Sequence, residues 1–572
     1  MSHPVPNQGS WYQSVGRWLS GKPKRQQKGE RHANQQVTVE HLETRQLLSA
    51  SNSASAPQRT AIQRTAAEST AADTGTTGPT SSSTTSTTHG VDANGNPTTT
   101  TTITTTTTDA NGNTTTSSTS TTTVDGTATL TSTSIDTDQA IASVRQANGK
   151  LILVGTAQIN TFGNYDFAIT RINEDGSLDT TFGSGGKKTV SFDLGGKDAS
   201  GNLVACLDAA TCVALQTDGK IVVGGYAQRD ATGNFDFAVV RLNTDGTLDT
   251  SFSSDGKALV AFDLGGGGDD RATGIAIQSD GKIILTGSTQ MRAAGDNDFA
   301  IARLRTDGSL DTTFSGDGRK NIGFNSVGDD RGAAVVIQPD GKIIVVGYAQ
   351  ASGVGNDDFA IARLTSSGNM DSKFGTKGKK TIAFDLGGAR TDRASAVALQ
   401  ADGKILIAGS ATSATGDGDF AIVRLKSSGS LDKSFSNDSR RTVAFNLGAN
   451  NEDQASGIVI QSDGKILLGG FSQVSATGDF DFTVARITTD GELDTSFSTD
   501  GKKSIPFNMG GSDNDMANGL LLQPDGKIVL IGHALKTDPA NTDFAAVRID
   551  TDGQLDTSFG TIGLKTIPFD LT

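Results

Sequence analysis

The chain has 572 residues, with 49 Lys and Arg against 63 Asp and Glu, a formal net charge of −14 and 70 glycines. An acidic balance of this kind keeps a protein soluble and argues against a nucleic-acid-binding face. The sequence contains no run of about 18 apolar residues, so no transmembrane helix is expected.

Residues 1–50 form a basic N-terminal segment, in which six Lys and Arg face Glu30 alone over the first 36 positions. Its end, VEHLETRQLLSA at 39–50, resembles the LEPRxLL-type tag of large exported bacterial proteins, with Thr44 in place of proline. The resemblance implies a secreted or cell-surface location. The apolar core of a secretory signal peptide is absent. The alternative is a short amphipathic segment of a cytosolic protein.

Residues 51–137 are rich in Ala, Ser and Thr, and the stretch Thr98–Thr108 is almost pure threonine. Such a composition buries too little apolar surface to offset the entropy of ordering. It predicts a disordered linker or stalk, and Ser/Thr-rich tracts are often glycosylated spacers. The pentapeptide DANGN occurs at 92–96 and at 109–113. An EF-hand needs about twelve residues with a terminal Glu, so we interpret both copies as turns.

From residue 138 to the end the chain repeats a hairpin of the form QxDGKIxxxG. Its seven turn glycines are Gly149, Gly219, Gly281, Gly341, Gly403, Gly464 and Gly526. The last six follow one another at intervals of 60 to 62 residues. A fixed period of this size predicts an array or a propeller.

Each repeat contains four segments with strand-like alternation and turn residues between them. In the third repeat these are Thr273–Gln278, Lys282–Gly287, Asp298–Leu304 and Arg319–Phe324. The predicted fold is all-β, a seven-bladed β-propeller of four-stranded antiparallel blades over residues 138–572. The first and last repeats are each complete, so we expect closure by face packing of whole blades without a swapped strand.

Phenylalanine recurs at three fixed positions of each repeat, which accounts for 21 of the 25 in the chain. In the first repeat these are Phe167, Phe182 and Phe192. Flat aromatic side chains suit the packing of twisted sheets, so we predict that they form the core between blades.

The combination of DFAxxRLxxDGxLDxxF with QxDGKIxxxG resembles the delta-60 repeat, a bacterial β-propeller repeat of uncharacterised function. The resemblance covers 138–572 in seven copies. Departures are local: Met370 replaces Leu, and Ser367 and Ser428 replace Asp. The resemblance implies a fold and no activity.

Two Asp positions recur on one face of the predicted disc, because the first and third strands of a meander run in the same direction. The first ring, ahead of strand one, comprises Asp138, Asp208, Asp270, Asp330, Asp392, Asp453 and Asp515. The second ring, ahead of strand three, comprises Asp166, Asp236, Asp298, Asp358, Asp419, Asp481 and Asp543. If strand one is innermost, the first ring surrounds the central channel.

These fourteen residues are the candidate ligand-binding residues, and two explanations stay open for them. Each Asp could accept backbone N–H groups of the loop that it begins, with charge added by Arg271, Arg331 and Arg393. Alternatively the rings hold a cation, for which Ca²⁺ is the candidate because its ligands are oxygens.

The opposite face carries an Arg at the end of each third strand and an Asp eight residues later. We predict a recurring structural ion pair between them. The two cysteines, Cys206 and Cys212, lie in an insertion, and their spacing is compatible with a small disulfide loop in an oxidising compartment. Without nearby histidines they make a poor zinc site.

Signals for catalysis are weak. The propeller has one histidine, His533, which supplies neither a His-based metal site nor a Ser-His-Asp triad. Paired carboxylates keep glycoside hydrolysis open, although only Tyr165, Tyr226 and Tyr348 could stack on a sugar there.

We therefore predict an exported or cell-surface binding or structural module without catalysis, whose partner is an unknown protein or cell-envelope component. The alternatives are a propeller hydrolase or lyase acting on extracellular carbohydrate, or a calcium-dependent adhesion module. An enzyme should show one asymmetric site that breaks the repeat, whereas a scaffold should show equivalent rings.

Overall fold

The computed structural model describes three strands between residues 80 and 124 and most of residues 137–569. Within the second range it leaves out the loop positions 160–163, 193, 195–205, 230–233, 263, 265–267, 292–295, 325–327, 352–355, 385, 388–390, 449–451, 476–478, 508–513 and 536–540. The predicted export tag and the rest of the predicted linker lie outside the described residues and stay predictions.

The Ser/Thr-rich segment contributes three strands, β1 (Thr80–Val91), β2 (Pro97–Thr108) and β3 (Thr114–Val124). They pair antiparallel in the order β1-β2-β3. Sequence reasoning did not anticipate this pairing. Threonine is β-branched and favours extended backbone, which accounts for it.

Seven antiparallel sheets follow, and each consists of four strands that are consecutive in the chain. Blade 1 has β4 (Gln139–Arg145), β5 (Leu151–Gln158), β6 (Tyr165–Ile172) and β7 (Lys187–Val190); blade 2 has β8 (Asp208–Leu215), β9 (Ile221–Gln228), β10 (Phe235–Leu242) and β11 (Lys257–Val260). Blade 3 has β12 (Asp270–Ile277), β13 (Ile283–Gln290), β14 (Asn297–Leu304) and β15 (Arg319–Ile322); blade 4 has β16 (Arg331–Ile337), β17 (Ile343–Gln350), β18 (Asp357–Leu364) and β19 (Lys379–Ile382). Blade 5 has β20 (Arg393–Leu399), β21 (Ile405–Thr412), β22 (Gly418–Leu425) and β23 (Arg440–Val443). Blade 6 has β24 (Asp453–Ile460), β25 (Ile466–Gln473), β26 (Phe480–Ile487) and β27 (Lys502–Ile505); blade 7 has β28 (Met516–Leu522), β29 (Ile528–Leu535), β30 (Thr542–Ile549) and β31 (Leu564–Ile567).

The predicted seven-bladed propeller is confirmed, with shifts in the strand boundaries. In the third repeat the first strand begins at Asp270 rather than Thr273, and the last ends at Ile322, two residues before Phe324. The described propeller residues contain no helix that could span a membrane.

Every first strand carries a β-bulge, which the sequence pattern did not reveal. In blade 3 the register shifts between Ala272 and Gly274, so Thr273 is the extra residue. Its hydroxyl donates to the backbone oxygen of Gly332 in the next blade at 2.8 Å. The bulge brings the Arg271 carbonyl so close to the second strand that a Cβ on Gly287 would lie 1.9 Å away. This contact explains the last glycine of QxDGKIxxxG.

The core lies between blades, as predicted from the phenylalanines. One apolar cluster joins Phe167 and Ile169 of blade 1 with Val223 and Val240 of blade 2. At each blade the phenylalanine of the third strand packs against the one that follows the fourth strand, with ring centroids 4.9–5.3 Å apart. Burying these rings contributes to the apolar stabilisation of the fold.

The ring closes by the contacts that join all other neighbouring blades. Blades 1 and 7 each contain their own four strands, so the prediction of closure without a swapped strand is confirmed. The Asp138 N–H donates to the Thr542 carbonyl at 2.8 Å, and the Phe569 N–H donates to Asp138 Oδ2 at 2.6 Å. A shared apolar cluster includes Leu153 of blade 1 and Val529 of blade 7.

Replacing Asp138 by Ala should open this junction. The substitution leaves the buried Phe569 N–H without its acceptor, and it also removes the Asp138 Oδ1 acceptor of the Gln158 N–H. We expect the free energy of unfolding to fall by roughly 2–3 kcal/mol, measured by urea denaturation. Asp218→Ala is the control, because Asp218 is an exposed turn residue. Equal losses in the two variants would contradict this account of closure.

Candidate functional site

The first Asp ring is buried, with side chains that are at most 1% exposed. In all seven blades Oδ2 accepts the backbone N–H of the phenylalanine that ends the preceding blade. The pairs are Phe569 with Asp138, Phe192 with Asp208, Phe262 with Asp270, Phe324 with Asp330, Phe384 with Asp392, Phe445 with Asp453 and Phe507 with Asp515, at 2.6–2.9 Å. These carboxylates therefore join each blade to the one before it.

Sequence reasoning considered backbone N–H groups as the partners of these carboxylates but placed the donors in the loop that each Asp begins. The structure corrects the location of the principal donor, which belongs to the preceding blade. A second bond stays inside the blade, for example from the Gln350 N–H to Asp330 Oδ1 at 3.2 Å. The described residues hold no group of three or more His, Cys, Asp or Glu side chains able to bind a metal ion. Ligand or Ca²⁺ binding by the rings stays a prediction.

The second Asp ring lies at the beginning of the third strands and is less uniform. Asp543 is 1% exposed and Asp166 is 6% exposed, whereas Asp298, Asp358 and Asp419 are half-buried. Neighbours differ from blade to blade. Asp298 accepts the Asn321 side-chain amide at 2.9 Å, and Asp481 accepts the Ser504 hydroxyl at 2.5 Å.

The Arg–Asp pairs predicted for the opposite face are confirmed in every blade, with Nε–Oδ2 distances of 2.5–3.0 Å. The pairs are Arg171–Asp179, Arg241–Asp249, Arg303–Asp311, Arg363–Asp371, Arg424–Asp432, Arg486–Asp494 and Arg548–Asp556. Each guanidinium also reaches the next blade, as Arg303 Nη1 does to the Ser366 carbonyl at 2.5 Å. Each stacks on the phenylalanine of its own LDxxF, and Arg303 lies 4.8 Å from the Phe314 centroid.

Hydrogen bonds keep these aspartates ionised. Burial alone would raise the pKa of Asp179, but bonds from Lys150, Thr181 and Arg171 hold it far below its usual value. The same balance lowers the pKa of Asp249, Asp494 and Asp556. Because the arrangement recurs in all seven blades, we interpret it as structural.

The two cysteines are not joined. Both are buried, and no disulfide joins them. The strand β8 begins at Asp208, so most of the chain between Cys206 and Cys212 is extended, and their Cα atoms lie on the order of 20 Å apart. A disulfide needs less than about 7 Å, so the predicted loop is wrong. Burial raises the pKa of Cys212 to about 12, which makes it unreactive.

One sector of the Asp-bearing face breaks the repeat. We call it the arginine–tyrosine arc, and it consists of Tyr226, Asp269, Arg271, Asp329, Arg331, Tyr348, Asp357 and Arg393. The three arginines follow the first-ring Asp of blades 3, 4 and 5, where the other four blades have Gln139, Ala209, Gln454 and Met516. The two tyrosines stand where the other blades have Thr156, Ser288, Ser410, Phe471 and His533.

Ion pairs and ring contacts connect the arc across blade junctions. Arg271 binds Asp269 at 2.7 Å and lies over the Tyr226 ring, 4.8 Å from its centroid. Arg393 lies over the Tyr348 ring at 4.5 Å and binds Asp357.

Asp329 is the centre of the arc. It accepts the Asn297 amide at 2.7 Å, Arg331 Nε at 2.9 Å and the Tyr348 hydroxyl at 3.3 Å. Its side chain is 25% exposed, so it is reachable from solvent. A carboxylate that accepts three donors holds the Tyr348 hydroxyl in a fixed position beside it.

The electrostatics fix the protonation state of the tyrosines. Burial raises the pKa of Tyr348, and Asp329 and Asp357 raise it further against the opposing charges of Arg331 and Arg393. Burial likewise raises the pKa of Tyr226. Both phenols are therefore protonated at neutral pH and can donate a proton or a hydrogen bond.

The remaining sectors of this face differ from the arc. Between blades 6 and 7 the equivalent positions are apolar and pack together as Phe471, Phe480 and Met516. At the junction of blades 7 and 1, burial lowers the pKa of His533 to about 4, so the imidazole is neutral. The lone histidine lies outside the arc.

A family model described as a β-propeller domain of unknown function, DUF5122, matches seven segments of the chain. They are residues 146–182, 216–252, 278–314, 338–374, 400–435, 461–497 and 523–559. The model therefore matches once in each of the seven blades. The segments run from the hairpin turn to the LDxxF phenylalanine, so the DUF5122 repeat includes the structural Arg–Asp pair and leaves out the arc's arginines. No curated protein matches the chain.

Solved structures similar to the chain include enzymes that act on polysaccharides. An ulvan lyase bound to -[GlcA(1-4)Rha3S]- has 12% identity and a TM-score of 0.38, over 73% of this chain and 95% of that one. An exo-1,5-α-L-arabinanase from a bovine ruminal metagenomic library has 9% identity and a TM-score of 0.28, over 50% and 95%. PorZ, a surface component of the type-IX secretion system of Porphyromonas gingivalis, has 12% identity and a TM-score of 0.33, over 77% and 53%.

These likenesses concern the fold, and no residue correspondence is drawn from them. Glycosidases and a polysaccharide lyase are among the similar propellers, which goes against the predicted binding or structural module without catalysis, so that prediction is not retained. The alternative of a carbohydrate-active propeller takes its place as the hypothesis.

Asp453 provides a test of the first ring through pH. Burial, and then the charge of Asp419, raise its pKa to about 6. A carboxyl with a higher pKa in the folded chain than in the unfolded chain loses its stabilising contribution as the pH rises. Asp453→Asn keeps an oxygen acceptor for the Phe445 N–H but does not titrate. The variant should therefore gain stability relative to the parent between about pH 4 and about pH 7.

The measurement is urea denaturation across that pH range. Asp463→Asn serves as the control because Asp463 is an exposed turn residue, 55% accessible in its side chain. A difference between Asp453→Asn and the parent that does not change with pH would contradict the raised pKa.

Proposed function

We propose that this protein cleaves glycosidic bonds of an acidic extracellular polysaccharide, and that the arginine–tyrosine arc binds the chain. The observation that supports the proposal is that the residues of the arc break the sevenfold repeat of the propeller. Three successive blades place arginine beside the first Asp ring, and tyrosines and carboxylates contact these arginines at the junctions. Structural residues of this propeller repeat in all seven blades, and the residues of the arc do not.

The arginines suit the acidic groups of such a substrate. A guanidinium offers five N–H donors in a planar fork that matches carboxylate and sulfate oxygens. Stacking on Tyr226 and Tyr348 holds the planes of Arg271 and Arg393 in place before a ligand arrives. Arg393 is also 38% exposed, the most accessible of the three.

Tyr348 is the proposed proton donor. Cleavage by hydrolysis or by elimination breaks the bond to a leaving oxygen, and that oxygen must gain a proton. Tyr348 is protonated because its pKa is raised, and its hydroxyl donates to Asp329 at the centre of the arc. In hydrolysis a water molecule adds to the anomeric carbon as the glycosidic C–O bond breaks, and the phenolate takes the proton that this water loses. In elimination the phenolate takes the proton from the carbon next to the substrate carboxylate, and the electron pair of that C–H bond forms the C=C bond as the C–O bond to the leaving oxygen breaks.

Such polysaccharides lie outside the cell, so the proposal includes an extracytoplasmic location. The resemblance of residues 39–50 to an export tag supports it.

The test is a cleavage assay on polyuronates, sulfated polysaccharides and neutral polysaccharides, run in EDTA and with added Ca²⁺. New reducing ends report either reaction, and ultraviolet absorbance of unsaturated products reports elimination alone. Tyr348→Phe should lower the rate by about 100-fold or more, because a proton donor contributes that much.

Tyr165→Phe is the matched control, since the Tyr165 hydroxyl lies in another sector, 2.7 Å from Thr137 Oγ1. It should retain the parental rate. If the parent cleaves no acidic polysaccharide, or if both variants lose the same fraction of activity, the proposal fails.

A further inference from the structure

A cavity of about 460 Å³ lies between blades 1 and 2 on the face that carries the hairpin turns. Its polar lining is Gln146, Asn148, Arg171, Gln216, Thr217 and Thr244. The arc belongs to the opposite face, so the two sites are separate. A volume of this size is typical of small-molecule sites.

The sequence of blade 1 departs from the repeat beside this cavity. Asn148 stands where the other six hairpin turns have Asp. Arg145 stands where the other first strands end in Leu or Ile, and Glu174 stands where the other repeats have Thr or Ser. These three departures lie close together in the structure.

The structure shows that these departures form a unit. Arg145 Nη2 donates to Glu174 Oε1 at 3.4 Å. The Glu174 carboxylate lies over the turn, where a Cβ on Gly149 would come within 1.9 Å of Oε1. Asn148 Oδ1 accepts the Lys150 N–H at 3.2 Å, as Asp does in the other turns, and its Nδ2 is an additional donor that an Asp lacks.

Gln146 supplies a buried polar group without a protein partner. It is 7% exposed, and its Oε1 has no hydrogen-bond partner among the described residues. The equivalent oxygens of Gln216, Gln278 and Gln338 accept the strand-three arginine of their own blades at 3.4–3.5 Å, whereas those of Gln400, Gln461 and Gln523 also have no partner among the described residues. A buried amide oxygen left unpaired costs stability unless a ligand or water satisfies it.

We infer that this cavity binds a neutral saccharide of one or two residues. The charge of the lining residue Arg171 is balanced by Asp179, and Arg145 next to the lining pairs with Glu174. The lining side chains that remain are amides and hydroxyls, which present donors and acceptors side by side. Sugar hydroxyls are donor and acceptor at once, so they match this lining without introducing a charge.

The inference is independent of the proposed function. The test is a titration of the full-length protein, monitored by saturation-transfer NMR. The ligands are glucose, galactose, mannose, rhamnose, xylose, arabinose and disaccharides of these. Glucuronate is included as the anionic counterpart of glucose. We expect saturable binding of at least one neutral sugar. In the triple variant Arg271→Gln, Arg331→Gln and Arg393→Gln, which lacks the arginines of the arc, we expect glucuronate to bind more weakly than glucose.

Asn148→Asp is the decisive variant, because it converts the turn QANGK into QADGK, the sequence that blade 5 already has at residues 400–404. It should fold and should weaken sugar binding by about fivefold or more, as should Gln146→Ala. Gln278→Ala is the matched control and should bind like the parent. Tyr348→Phe should also bind like the parent, which separates this site from the arc.

The inference is overturned if no neutral sugar in the panel binds saturably. It is equally overturned if the triple variant Arg271→Gln, Arg331→Gln and Arg393→Gln, which lacks the arginines of the arc, binds glucuronate more tightly than glucose. It is also overturned if Asn148→Asp and Gln146→Ala bind as the parent does.

Discussion

Each blade of this propeller depends on its neighbour to satisfy the backbone groups at its ends. Backbone N–H groups that are buried without a partner are costly, so each must find an acceptor. At one face the acceptor is the first-ring Asp, which reaches back to the phenylalanine N–H of the preceding blade. At the other face the strand-three arginine reaches forward to a carbonyl of the following blade. The two contacts run in opposite directions along the chain and together fix each blade on both sides.

This arrangement explains how so many carboxylates are buried in one domain. An isolated buried charge is expensive, but each first-ring Asp accepts a backbone N–H and each LD Asp has an Arg partner. The repeat also makes closure simple. Asp138 binds the last blade and Arg548 binds the first, so the seventh junction is made by the same contacts as the other six.

Much of the fold could be predicted from the sequence, because turn glycines and alternating apolar residues repeat seven times. The Arg–Asp pair was also predictable from its constant spacing of eight residues. The β-bulge was not, since one extra residue in a short strand leaves no mark on the alternation. Nor could the partner of Asp270 be named, because the Phe262 N–H lies in the preceding repeat.

The candidate site was only partly visible in the sequence. Arg271, Arg331 and Arg393 were noticed, but as charge compensation for the Asp rings, and Tyr226 and Tyr348 only as sparse aromatic residues. The positions that repeat in all blades are structural residues, and the residues of the arc lie at positions that do not repeat. The sequence signal for the arginines of the arc is that the position after the repeated first-ring Asp changes from blade to blade. Asn148 and Glu174 in blade 1 are likewise departures from residues that the other blades share.

The central claim is that repeated polar residues hold the propeller together and that non-repeated ones bind ligands. The most direct test is the triple variant Arg271→Gln, Arg331→Gln and Arg393→Gln, which installs the residue that blades 1 and 6 have as Gln139 and Gln454. Its binding to an immobilised polyuronate would be measured by surface plasmon resonance, with thermal unfolding in parallel. We predict that binding is lost while the unfolding midpoint stays close to that of the parent. Unchanged binding, or collapse of the fold together with binding, would contradict the claim.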